Sequence, residues 1–390
     1  MPSYPLTDTK RSHYVERFQL TSNDLGFADQ PPWSIEKVRL QGGRRDGVDL
    51  IQVQNGGLSF SVIPTRGMNL WKGKFGDIAL GWDSPVKDGP VNPAFVDAHA
   101  WGGLGWLDGF DELLARCGLD SFGPPYQDGD RTFTLHGRIS NIPAHFVSIH
   151  VDNDPPHAIT IEGRVIESRL FHTQVEMVTK ITTVPGSHTI TVRDEFTNLR
   201  DSPGDLQILY HWSFGPPLLE AGARFVAPWK TVVPRDKAAT EGLTDFDIYG
   251  PPLPGSAEMV YLFELIGDGP DSRTLAVLRN RAGNAAVAMR FSTLQLPAFT
   301  LWKNQGGRNE GYVTGLEPGS GYPNPKPFEK TRNRVKSLAP GETVVAEIIL
   351  EATDSSSTVE AWEAEVKSLQ AKAAPTIHRR PVEPFVSEGS

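Results

Sequence analysis

The sequence predicts an all-β protein, built from antiparallel sheets and carrying a few short helices. Three observations lead there. Gly (38) and Pro (32) are abundant and scattered along the 390 residues, a punctuation that helices reject and that sheets joined by many turns accept. Several stretches alternate apolar and polar residues, the period of a half-buried strand. The chain is also long enough to enclose one large core.

The alternation is clearest at 175–181, where Val175, Met177, Thr179 and Ile181 share one face. Pro185-Gly186-Ser187 then turns the chain, and 188–197 places Ile190, Val192 and Asp194 on one face, so the two segments read as a β-hairpin. Further strands are expected at 58–63, 158–166, 206–210, 275–278, 285–291 and 343–350, a spacing that suits a large sandwich. Loops are expected at 83–93, 120–130 and 235–256. The Gly- and Trp-rich segment 99–123 is read as partly helical, over 108–116. A helix is expected at 357–370, opened by a capping box of Ser357 and Glu360 and carrying Val359, Trp362, Val366 and Leu369 at helical spacing. This gives one domain over 1–370, followed by a Pro-rich, polar tail, 371–390, expected to be loose.

Charged residues make up 22% and hydrophobic residues 38% of the chain, and the net charge is −9. That balance fits a globular protein and disfavours phosphate backbones and anionic bilayers, so neither nucleic acid nor membrane is expected as a partner. Cys117 is the single cysteine, which rules out an internal disulfide and suits a reducing compartment. It reads as a buried structural thiol. The first 18 residues have no apolar run of signal-peptide length, and the expected location is cytoplasmic.

Three residues carry the functional reading. His136 lies in Thr134-Leu135-His136-Gly137-Arg138, read as a strand with a glycine that permits close backbone approach to a ligand. His211 follows an apolar strand and is flanked by Trp212 and Phe214, surroundings that disfavour imidazolium. Glu317 sits in Thr314-Gly315-Leu316-Glu317-Pro318-Gly319, at a strand end. Each also has a plain structural reading: a hydrogen-bonded core histidine, or an exposed turn glutamate. Arg66, Arg116, Arg138, Lys303 and Trp302 are candidate substrate contacts or, equally, ion-pair and packing residues. No dinucleotide or P-loop pattern, paired-cysteine metal site, His-Glu-x-x-His or Gly-x-Ser-x-Gly is present.

Taken together, Pro64-Thr65-Arg66-Gly67-Met68, Leu113–Leu119, Leu135-His136-Gly137-Arg138 with the following Ile139–Ala144, Tyr210-His211-Trp212-Ser213-Phe214-Gly215 and Gly315-Leu316-Glu317-Pro318 resemble the aldose 1-epimerase (galactose mutarotase-like) superfamily, most nearly its bacterial aldose 1-epimerase-like branch. The resemblance runs in order over 58–351. It implies a β-supersandwich and an isomerase that interconverts sugar anomers without a cofactor. It also assigns His136 to orienting a small carbohydrate, His211 to the general acid and Glu317 to the base. The chain departs from the family at several points. It lacks an Asn-Arg pair before the first histidine, and it reads His-Trp-Ser-Phe where His-x-Tyr-Phe-Asn is usual. A substrate-binding aspartate between the histidines is not identifiable, and Asp194 is no more than a candidate for it. Two alternatives stay open. His136, His172, His211 and Glu317 could hold Mn²⁺ or Zn²⁺ in an isomerase or lyase acting on an oxidised sugar, or the groove could bind carbohydrate without turnover. Whether His145, His150 or His172 enters the groove depends on strand register, and homo-oligomerisation is left open.

Overall fold

The computed structural model describes residues 2–27 and 31–387. Two large sheets, of ten and fourteen strands, face one another, and a small hairpin (Tyr126–Asp128 with Arg131–Phe133) stands apart. The ten-stranded sheet is centred on Ile159–Ser168, Gln174–Thr183, Thr189–Asn198 and Thr343–Thr353, all antiparallel neighbours. The register that pairs Ile181 with Val192 confirms the hairpin expected from the alternation. Its inward residues, among them Ile161, Met177, Val192 and Ile348, share one core with Phe60, Leu114, Trp212 and Leu316 of the larger sheet.

In the fourteen-stranded sheet the order Met259–Leu265, Ala298–Asn304, Val313–Gly319, Gly204–Phe214, Leu114–Leu119 brings together strands far apart in sequence. Three of these, at 114–119, 204–214 and 313–319, are buried on both faces along most or all of their length. One face meets the main core. The other lies under segment 100–125 and forms a second apolar cluster with Trp82, Trp106, Phe110, Cys117 and Phe122. Double burial removes the alternation that a strand with one wet face shows.

That explains the first correction. The helix expected over 108–116 is a 3₁₀ turn at Gly105–Gly109 followed by the strand Leu114–Leu119. The C-terminal helix spans Ser356–Gln370, and Val359, Trp362, Val366 and Leu369 pack on Leu275, Val277, Ala286 and Ala288, near one edge of the ten-stranded sheet. Its cap is Ser355, which accepts from the Thr358 amide, in place of the Ser357/Glu360 box. The tail is not loose. Thr376–Ile377 adds a parallel strand beside Trp229–Pro234, and Phe385 and Val386 are buried against Val260, Leu262 and Tyr322. The Asn324 side-chain amide donates to the Phe385 carbonyl, so the tail braces the loop that follows Gly319. Two apolar side chains and one buried hydrogen bond outweigh the polar composition of the segment. No helix among the described residues is long and apolar enough to cross a membrane.

Candidate active site

Along Val313–Gly319 the odd-numbered residues face away from the main core, as Leu209, His211 and Ser213 do along Gly204–Phe214. The register pairs Trp212 with Leu316 and Ser213 with Gly315, which sets His211 directly across from Glu317. On its other side Glu317 is paired with Thr300. A carboxyl and an imidazole, 106 positions apart in the chain, thus share the floor of one cavity of about 300 Å³.

His211 Nε2 lies 3.1 Å from Glu317 Oε1, with both side chains about 95% buried. The approach is off the hydrogen-bond direction, so Oε1 is left without a partner. Thr300 Oγ1 and Trp106 Nε1 belong to residues lining the same cavity and are likewise buried without partners. Buried polar groups are seldom left unmatched, and their concentration here marks a place built for a polar ligand. The other ring nitrogen of His211, Nδ1, is 3.0 Å from Ser213 Oγ, which sets the plane of the imidazole.

His136 arrives from the opposite wall. It is not on a strand: it sits in a turn with φ 57°, followed by Gly137 at φ 71°. A Cβ on Gly137 would stand 2.3 Å from the Ser121 carbonyl oxygen and 2.4 Å from that of Gly118, so only glycine permits this turn. His136 Nδ1 is 3.0 Å from the Phe122 carbonyl. A carbonyl only accepts, so Nδ1 carries the proton and Nε2 is left as an acceptor. The two imidazole rings lie 5.6 Å apart, with Trp106, Phe110 and Trp302 edge-on to them or tilted around them.

Burial dominates the electrostatics. It pushes His136 down to about 4. It holds His211 well below the usual histidine range, an effect that neighbouring His136 reinforces. It raises Glu317 well above the usual carboxyl range, with the Glu258 charge adding to the effect and Arg235 opposing it. Burial thus favours the uncharged form of all three groups.

The structure thus brings together His136, His211, Glu317 and Trp302 and leaves the remaining candidates elsewhere. Arg66 is fully buried, with Nε 2.7 Å from Glu112 Oε1 and Nη1 2.8 Å from Asn141 Oδ1. Arg116 is locked to Asp194 through Nε at 2.6 Å and Nη2 at 3.0 Å, and Tyr210 also donates to that carboxylate. Arg116 and Asp194 are therefore structural, and neither reaches the cavity. Lys303 Nζ donates to the carbonyls of Asp245, Phe246 and Ile248, which ties the 235–256 loop to the sheet instead of binding substrate. In each case a buried charge needs partners from its own fold. Arg138 lies beside a different depression, lined also by His99 and Arg169. His172 borders that depression too, so the four-residue metal set is not assembled. Among the described residues no group of three or more His, Cys, Asp or Glu is arranged to hold a metal ion. His145 and His150 pair with Glu176 and Glu162 on the ten-stranded sheet, outside the cavity. Cys117 is buried, as expected, and burial raises its thiol well above the ordinary value.

Sequence reasoning missed Arg235, Glu258, Thr300, Ser213 and Gly315. Arg235 donates to Asp236 and to Glu258, and Trp302 Nε1 donates to Glu258 at 2.7 Å, so these form a linked rim. Gly315 lies within the Glu317 motif, and no role for it was read from that motif. A Cβ there would lie 2.3 Å from Glu317 Oε1 and 3.1 Å from His211 Cε1. Its place two residues before Glu317 on one strand was the available signal.

Residues 45–352 match a family model described as a domain of unknown function, DUF4432. A solved structure from Klebsiella pneumoniae subsp. pneumoniae, named "putative aldose 1-epimerase", is 36% identical, with 98% of this chain and 99% of that chain covered and a TM-score of 0.95. A galactose mutarotase-like protein from Clostridium acetobutylicum (14% identity, 82% and 98% covered, TM-score 0.54) and a galactose 1-epimerase from Lactobacillus acidophilus (10%, 82% and 99%, 0.50) share the fold. No curated protein matches the chain. With the mutarotase-like supersandwich and the extent of these matches, the chain belongs to the DUF4432 family, within the aldose 1-epimerase (galactose mutarotase-like) superfamily.

Proposed function

We propose that this protein is an isomerase that interconverts the anomers of a small carbohydrate by acid–base ring opening at His211 and Glu317. The observation that carries the reading is the 3.1 Å approach of His211 Nε2 to Glu317 Oε1 on the floor of a cavity that opens to solvent. Burial favours the neutral form of the pair, which shares one mobile proton. Moving that proton from Glu317 to His211 yields the carboxylate and imidazolium that the reaction needs. The carboxylate takes the proton of the anomeric hydroxyl, and the imidazolium gives its proton to the ring oxygen. The C1–O5 bond breaks, and the open-chain aldehyde turns about C1–C2. The reverse steps close the ring on the other face and return the pair to its neutral state. His136, with Nε2 as acceptor, orients a sugar hydroxyl, and Trp106 and Trp302 supply aromatic surface to the ring.

Each positioned proton transfer contributes about 10²–10⁴-fold in rate. Glu317→Gln keeps the shape and removes the titrating proton. Its kcat for anomer interconversion, measured by exchange NMR across a sugar panel, is expected to fall by about 10²–10⁴-fold while sugar affinity is kept. An undiminished kcat in the Glu317→Gln variant would remove Glu317 from the chemistry. Sugars that bind to the parent protein without interconverting would favour a binding protein instead.

A further inference from the structure

The same cavity discriminates among sugars by what it does not offer. Its polar groups are His211, Thr300 and Glu317 on the sheet floor, with His136 and the Trp106 indole N–H reaching in from the opposite side. The rest of that facing side is different. Leu104, Leu107, Pro124, Pro125, Leu135 and Pro323 line it. None has a polar side-chain atom, and the three prolines also lack the backbone N–H through which a loop would otherwise grip a hydroxyl. Charge points the same way. Arg235 is the only cation lining the cavity among the described residues, and it already faces two carboxylates, Asp236 and Glu258. Nothing there is left to neutralise a carboxylated or sulfonated substrate.

We infer that the cavity is shaped for a neutral sugar whose exocyclic carbon carries no hydroxyl, of the 6-deoxyhexose class, with its methyl group against the Leu104–Leu107 and Pro124–Pro125 wall; the inference rests on the anomer-interconverting reading. A hydroxymethyl group on the same ring would bury its hydroxyl against that wall without a partner, and a carboxylate would bury a charge without one.

An apolar pocket rejects an added hydroxyl by at most about 10²-fold, which bounds the effect. Matched sets of one ring stereochemistry would be compared by exchange NMR for turnover and by titration calorimetry for binding: D-fucose, D-galactose and D-galacturonate; 6-deoxy-D-glucose, D-glucose and D-glucuronate; L-rhamnose and L-mannose. In the set that turns over fastest, the deoxy sugar is expected to lead the hydroxymethyl sugar by about 10- to 100-fold in kcat/KM, with the uronate lowest where the set contains one. A hydroxymethyl sugar or uronate that equals or beats its deoxy partner would overturn the inference and leave the isomerase reading standing. Preferential binding of deoxy sugars with no turnover of any sugar would support the inference and remove the isomerase reading. Binding of none would remove both. Leu107 is 47% exposed and belongs to none of the apolar core clusters, so Leu107→Asn should fold normally. It is expected to shrink the deoxy preference at least about threefold, within the range a single pocket contact supplies; an unchanged preference would take the apolar wall out of the argument.

Discussion

Replacing Gly315 with alanine tests whether the candidate carboxyl is held where the chemistry needs it. The new Cβ would lie 2.3 Å from Glu317 Oε1, whereas Cβ atoms in proteins stay at least about 3.0 Å from such neighbours. The carboxyl must therefore withdraw by roughly 0.7 Å, and His211 Nε2, 3.1 Å from that oxygen, hems it in on one side. The atom that yields is the tip of a flexible side chain, so the fold has an inexpensive escape. Overpacking of a core site costs about 1–3 kcal/mol, and replacing a strand glycine by alanine returns about 0.5–1 kcal/mol. The net loss of stability is about 0–2.5 kcal/mol. On the proposed mechanism the rate has no such escape, because the displaced group is the one that would react, and a misplacement near 1 Å costs on the order of 10²-fold. Urea unfolding and anomer exchange would be measured on the same preparation, with sugar affinity as a control. The expected result is near-parental stability, kept affinity and a fall in kcat of the order of 10²-fold. Parental kcat at parental stability would refute the reasoning, because it would mean that the Glu317 position is not critical.

Two further outcomes follow from the buried charges. Arg116→Met leaves the buried Asp194 carboxyl without its cation, and is expected to cost about 3–5 kcal/mol in urea unfolding. Adding Asp194→Leu should recover much of that loss, and KM should stay parental in the double variant if the pair is structural, as its place outside the cavity requires. Glu167 is buried and its carboxyl is raised from 4.5 to about 7. As pH rises through that window the unfolded chain releases this proton while the folded protein keeps it, so stability falls until both forms are ionised above about 7. Glu167→Gln can still accept from the Leu119 amide and should be more stable than the parent at about pH 8, by at most about 3 kcal/mol, with the gain vanishing near pH 4.5. An equal gain at both pH values would mean that the carboxyl titrates normally.

Where a strand has one wet face, the architecture was legible residue by residue. Val175, Met177 and Ile181 against Ile190 and Val192 needed only period two and a Pro-Gly turn to be placed correctly. Leu114–Leu119 was misread because both of its faces are covered, which erases the alternation that distinguishes strand from helix. His136, His211 and Glu317 were found through their local motifs and the family resemblance. Arg66, Arg116 and Lys303 were misassigned because a cation in a motif looks the same whether it faces a ligand or a buried partner. What separates the two cases is a contact with Glu112, with Asp194 or with three loop carbonyls, each distant in the chain or drawn from a separate loop.

The sequence by itself determined the β class, the 175–197 hairpin and the C-terminal helix, and it singled out the three residues of the candidate site, because propensity, periodicity and short motifs are local properties. Tertiary structure alone decided that His211 stands across from Glu317, that Gly315 makes room between them, and that the facing wall is apolar and poor in donors. Those facts arise from the register between strands about a hundred residues apart and from loops folding back over a sheet. A one-residue slip in that pairing would turn the carboxyl into the core without changing a single local signal.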